Sequence, residues 1–204
     1  MIWMLVRSGD VVVRQFTCPS SSDVEDDTEN LELYYDFAHY RNISYGYQVP
    51  FGPADTRARE NMDNRQGVAA DKGPYYLAIS PDLTDSMDSA GPDRSPLSLS
   101  DAPLYWRRFN SNNHGGWRNS EGQNVLHVDG HTAFVRIPAV GVDDDNIYTL
   151  IVGYEWNEPI PPGRNRIYGD SPHFAGTPGS PYPGQDAFGV GPGKHSSTDS
   201  LIFP

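Results

Sequence analysis

Glycine and proline interrupt this sequence so often that no stretch is left for a long helix: 20 glycines and 18 prolines lie among 204 residues. Proline removes a backbone donor and clashes with the preceding turn, and glycine loses the most conformational freedom on ordering, so both end regular elements. Short strands and turns are what fit between them. Aromatic residues make up 12% of the chain, enough ring surface to offset the entropy of ordering over much of its length. The expected fold is α+β leaning to all-β, an antiparallel sheet with long loops, within a single domain.

The strongest local signal runs over residues 124–137, where strand formers flank Asp129-Gly130, the dipeptide of two-residue type I′ hairpins. With that turn His127 faces Thr132, Leu126 faces Ala133 and Val125 faces Phe134, and His127 and His131 point to opposite faces. Both faces are then mostly apolar, which places the hairpin centrally. Further strands are expected at residues 2–6 and 11–13 around Ser8-Gly9-Asp10, at 43–49 ending at Pro50, at 67–71 and 75–79, and at 147–154. Residues 23–36 carry seven acidic and no basic side chains, which suits a solvated loop or one short helix. Residues 80–103 read as a long surface loop. From Pro159 onward 17 of the last 46 residues are Gly or Pro, so residues 1–158 are the expected β-rich head and 159–204 an arm wrapping the same domain. Ile167, Tyr168, Phe174, Tyr182, Phe188 and Phe203 are its expected anchors.

Fifteen basic against 27 acidic residues leave a net charge of -12, which repels phosphate backbones and anionic lipid headgroups. Neither nucleic acid nor a membrane surface is an expected partner. A single cysteine, Cys18, rules out an internal disulfide framework and any multi-cysteine metal site. Residues 1–6 are apolar, but Arg7 and Asp10 follow, and no run approaches the ~18 residues of a bilayer span. The sequence as given is therefore expected to carry no transmembrane helix and no signal peptide.

Candidate chemistry is sparse. Asp143, Asp144, Asp145 and Asn146 put four oxygen-bearing side chains in one loop, the donor type calcium takes with help from backbone carbonyls; a solvated acidic turn is the alternative. His127-x-Asp129-x-His131 has the spacing of a zinc or iron ligand set, which the expected turn pulls apart. A metallohydrolase would need two of His127, His131 and His114 at one ion. Cys18, before Pro19 and after an apolar stretch, reads as a small buried residue. Trp106, Trp117 and Trp156 are candidates for a stacking surface, as in a glycan-binding module. Asn42-Ile43-Ser44 matches the glycosylation acceptor pattern. No nucleophile elbow, phosphate loop or zincin helix occurs, so no motif commits the chain to catalysis.

Several blocks, taken in order, resemble a bacterial pilin-like family related to type II secretion pseudopilins, whose signature is a His, nine residues and Asp-Gly. They are Phe16-Thr-Cys-Pro-Ser-Ser-Ser-Asp23, Asn42-Ile-Ser-Tyr-Gly-Tyr-Gln48, Ala69-Ala-Asp-Lys-Gly-Pro74, Asn110-Ser-Asn-Asn-His-Gly-Gly116 and Gly122-Gln-Asn-Val-Leu-His-Val-Asp-Gly-His131. Gly141-Val-Asp-Asp-Asp-Asn-Ile-Tyr-Thr149 and Thr198-Asp-Ser-Leu-Ile-Phe-Pro204 extend them to the C-terminus. Here fourteen residues, not nine, separate His114 from Asp129-Gly130. The family's N-terminal peptidase site and long apolar helix are not in this sequence, so the resemblance implies the globular head alone. It implies a non-catalytic structural subunit, exported and displayed extracytoplasmically, whose partners are other pilin-like subunits or secretion-apparatus components. It also raises the expectation of calcium at Asp143, Asp144, Asp145 and Asn146.

Overall fold

A computed structural model describes residues 2–48, 59, 61–74, 99–116, 119–149, 200, 202 and 203. Its centre is one antiparallel sheet built from β1 (Tyr45–Gln48), β2 (Gly67–Asp71), β3 (Gln123–His127), β4 (Thr132–Val135) and β5 (Ile202–Phe203). The spatial order is β4-β3-β2-β1-β5. Two short helices, α1 (Trp3–Arg7) and α2 (Pro103–Trp106), and 3-10 turns at Val13–Phe16, Leu31–Leu33 and Tyr40–Asn42 complete the described elements. The mostly-β antiparallel expectation holds. No helix among the described residues is long and apolar enough to cross a membrane.

The sheet forms where the sequence alternates. In β3, Gln123, Val125 and His127 are buried while Asn124 is exposed. Val125 joins Ala70, Ile147, Tyr148 and Ile202 in the main apolar cluster, with Val135 and Val140 packed against it. A second cluster gathers Trp106, Phe109 and Ala139 beneath Ile137. A bulge between Gly67 and Ala69 shifts the β2–β3 register by one residue, the usual consequence of two residues opposing one.

The N-terminal strands expected at residues 2–6 and 11–13 do not form: Trp3–Arg7 is helical, and Val13 opens a 3-10 turn after an extended Val12. Trp3 and Val6, three apart, are buried while Met4 and Leu5 are exposed, which is helical and not strand periodicity. Ser8 N and Oγ both satisfy the Met4 carbonyl at the end of α1. The second apolar run becomes a 3-10 turn whose entry is held by Gln15 Oε1 accepting from Val12 N.

The 124–137 hairpin exists, but one register step away from the expectation. Leu126 pairs with Thr132 and Val125 with Ala133, and His127 N donates to His131 O. The loop is therefore three residues, Val128-Asp129-Gly130. A type I′ turn would need both Asp129 and Gly130 at positive φ; only Gly130, at +88°, is there. Gly130 N closes onto His127 O, a turn followed by a left-handed glycine, which is the three-residue solution. One step of register moves every side chain to the other face, so His127 and His131 share a face, contrary to expectation. β4 also borders the sheet, with Thr132 and Phe134 exposed, and is not central.

Strand 67–71 is found as expected, and 43–49 in its core. The described part of 147–154, Ile147 to Thr149, is a turn: Asn146 Oδ1 accepts from Tyr148 N and Asn146 O from Thr149 N, a local side-chain bond that diverts the backbone from a ladder. The strand at 75–79, most of the 80–103 loop, and the arm except Ser200, Ile202 and Phe203 lie outside the described residues.

Candidate functional site

Antiparallel order brings the start of β1, the end of β2 and the start of β3 to one end of the sheet, where the loops carrying Cys18 and His114 also arrive. The Cys18 loop is set by a turn in which Ser21 N and Oγ both bond Cys18 O, with Pro19 fixing its first central φ. Ser44 N then binds Phe16 O at 2.7 Å, tying that loop to β1. Beyond His114 the chain reverses through Gly115 and Gly116, at φ +122° and +82°. A Cβ on Gly115 would lie 2.8 Å from Asn119 O, so only glycine fits. Ser120 Oγ and Glu121 N hold the His114 carbonyl at 2.7 and 2.8 Å.

Asp71 is the hub. The residue is 1% exposed, and its carboxylate accepts from Asn113 Nδ2 at 2.9 Å, Asn124 N at 2.6 Å and Asn124 Nδ2 at 3.1 Å, with His114 Nε2 at 3.1 Å. The Asp71 carbonyl accepts from the buried Tyr148 hydroxyl at 2.7 Å. A carboxylate deprived of water is tolerable only with such a set of donors. Cys18, 4% exposed, reaches the same cluster: one ligand atom each of Cys18, Asp71 and His114 lie within 4.8 Å of one another. The Tyr45 hydroxyl lies beside Cys18 as well.

Beside the hub is a buried ion pair. Lys72 Nζ donates to Asp23 Oδ2 and to Ile43 O, both at 2.8 Å, and Ser44 Oγ donates to the same Asp23 oxygen. Burial pulls the Lys72 ammonium below its ordinary pKa, against the pull of Asp23.

Burial pushes the Tyr45 phenol up to about 12, helped by Cys18 and Asp71, and raises Tyr47 and Tyr148 too. A group with a raised folded-state pKa stabilises fully below its unfolded pKa, and that contribution is lost as pH climbs through the folded one. Lys72, with a lowered pKa, acts in the opposite sense, and its effect is complete above its ordinary value of 10.5. Stability is therefore expected to fall between pH 10.5 and about 12, where of these groups the phenols still titrate. Urea midpoints across that window check it, and Tyr47→Phe should shallow the fall; a flat profile contradicts the assignment.

The four expected calcium ligands are divided. Asp143 and Asp144 sit at φ +55° and +63° and are exposed, Asp143 pairing with Arg65 at 3.3 Å. Asp145 and Asn146 are buried, and Asp145 Oδ2 accepts from Ser200 N at 2.6 Å. His127 and His131 stack, ring centroids 4.4 Å apart at 7°. His127 Nδ1 bonds Arg65 O and His131 Nδ1 bonds Asp129, whose carboxyl the His131 backbone N–H holds below its usual range. His114 lies apart with Asp71, while His127 and His131 come together on one face with each Nδ1 already hydrogen-bonded. Trp106 is buried against Phe109, which removes it from any stacking surface; Trp117 and Trp156 lie outside the described residues. Asn42 is also buried, its amide donating to Val24 O, which leaves no room for a glycan.

Reading the sequence missed Asp71, Lys72, Asn113 and Asn124 as functional groups. The available signal was Asp71-Lys72, two charges ending an otherwise apolar strand. The resemblance blocks, far apart in the chain, are those that supply Cys18, Asp23, Ser44, Asp71, Lys72, Asn113, His114 and Asn124 to this one end of the sheet. Comparison with protein-family models, curated proteins and solved structures finds no match for this chain.

Proposed function

We propose that this domain is a non-catalytic structural subunit, the globular head of a type II secretion pseudopilin-like or surface-appendage protein. It works outside the cytoplasmic membrane by assembly with other pilin-like subunits or secretion-apparatus components. The observation that carries the reading is where apolar surface is left in water. Of the exposed large apolar side chains among the described residues, Met4, Leu5, Val12, Val24, Leu33, Tyr34 and Tyr35 fall within the first 35 positions. Much of that surface is on packed elements: Trp3 Nε1 donates to Tyr34 O at 3.0 Å, and the Arg7 guanidinium lies over the Tyr35 ring at 4.5 Å. Apolar side chains held in place in water supply area for a contact surface. Asp71, Cys18 and Lys72, by contrast, are buried and engaged with one another's loops, as parts that hold a shape.

Sedimentation at rising concentration tests the assembly reading. The wild-type chain is expected to self-associate, and a Leu33→Asp, Tyr35→Asp variant to stay monomeric with an unchanged thermal midpoint. Wild-type protein that remains monomeric to its solubility limit and binds no pilin-like subunit would overturn it.

A further inference from the structure

Three segments far apart in the chain bring a thiol, a carboxylate and an imidazole within 4.8 Å of one another at the end of the sheet. We propose that Cys18 Sγ, the Asp71 carboxylate and the His114 imidazole bind one divalent ion of the zinc class, clamping the Cys18 loop, the end of β2 and the His114 loop together. The site stands independently of any assembly role.

The donor set chooses the ion. Thiolate, imidazole and carboxylate are the three side-chain ligands of zinc, whereas calcium takes six to eight oxygens and has no use for sulfur. The dimensions agree. A tetrahedral zinc with nitrogen and oxygen at about 2.0 Å and sulfur at about 2.3 Å separates N from O by about 3.3 Å and S from either by about 3.5 Å. His114 Nε2 and Asp71 Oδ2 already stand 3.1 Å apart. The widest separation, at most 4.8 Å, closes by roughly 1 Å, within reach of small side-chain rotations.

The surroundings are those of a supported ligand. Asn113 Nδ2 fixes one Asp71 oxygen and Asn124 N the other, the outer hydrogen bonds that orient a metal-bound carboxylate. Asn113 is itself anchored on Ser44 O at 2.7 Å. The His114 side chain is 25% exposed while that of Asp71 is fully buried, so the ion enters past His114 and keeps its fourth position toward water. On binding, the ion takes the place of the hydrogen between His114 Nε2 and Asp71, the neutral imidazole then carrying its one proton on Nδ1, and the Cys18 thiol releases its proton to solvent. A domain of short elements and one cysteine has no disulfide to staple its loops; a metal does the same work.

The test uses the full chain, stripped with chelator and dialysed against zinc alone or cobalt(II) alone. One ion per chain is expected, with a thiolate-to-cobalt charge-transfer band, tetrahedral cobalt colour and a raised thermal midpoint. Cys18→Ser should abolish the band, and His114→Gln should weaken zinc binding at least tenfold. Asp143→Asn with Asp144→Asn, and His127→Gln with His131→Gln, should leave binding unchanged. Should Cys18→Ser fail to fold, wild-type protein decides alone: zinc must protect Cys18 from alkylation under native conditions. A wild-type chain that retains no zinc, binds cobalt without the charge-transfer band, or leaves Cys18 equally reactive with and without zinc overturns the proposal.

Discussion

Asp71→Ala is expected to cost about 3–5 kcal/mol, a large part of the roughly 5–15 kcal/mol that holds a domain of this size folded. The side chain is a fully buried acceptor for donors from two different segments, Asn113 and Asn124, with His114 alongside. Truncation leaves the buried Asn113 amide and the Asn124 backbone N–H short of an acceptor, and each buried group left without a partner costs about 1–3 kcal/mol; the Asn124 and His114 side chains, which reach water, lose less. Asn113 keeps its bond to Ser44 O, which moderates the loss. Asp71→Asn retains volume but turns an amide donor toward other donors, so an intermediate loss is expected. Urea unfolding followed by tryptophan fluorescence measures both, and a loss under about 1 kcal/mol for Asp71→Ala would remove it from the centre of this account.

Lys72→Met is expected to cost a similar 3–5 kcal/mol, because it leaves Asp23 charged and buried. Both side chains of the pair are 8% exposed, so water cannot replace the lost ammonium. The second member of the series separates charge from packing. Combining Lys72→Met with Asp23→Leu removes both charges and keeps volume, and should recover a substantial part of the loss, since an apolar replacement of a buried pair is often neutral. Ser44 Oγ and Ile43 O, which share the pair's hydrogen bonds, keep the recovery incomplete. If the double variant is no better than Lys72→Met alone, packing and not charge is what Lys72 contributes.

Local signals were readable and long-range ones were not. Residues 67–71 form a strand because a short small-residue run between Gln66 and Lys72-Gly73-Pro74 leaves little else. The hairpin around Asp129-Gly130 was visible, yet its register turned on the φ of Asp129, and no sequence pattern separates a two-residue turn from a three-residue turn there. The N-terminal apolar runs misled because Trp3 and Val6, with Met4 and Leu5 between them, are compatible with either periodicity until a packing partner such as Phe37 chooses; its ring lies 4.9 Å from that of Trp3. The sequence marks Cys18 as a buried residue, and it is one. That His114 and Asp71 would stand beside it could not be read, because nothing local in residues 16–23 encodes a neighbour some fifty or a hundred positions away.

That last fact shapes how the chain folds. The bonds that assemble the hub span 42 residues from Asn113 to Asp71, 53 from Asn124 to Asp71 and 69 from Asn113 to Ser44. Contacts between such distant positions must wait for the loops between them to close, and topologies dominated by them fold slowly. β1, β2 and β3 therefore have to find their register before Asp71 meets its donors, and until then an ionised carboxylate and a free thiol stay in water. The sheet end therefore acquires its native surroundings only once those strands have paired.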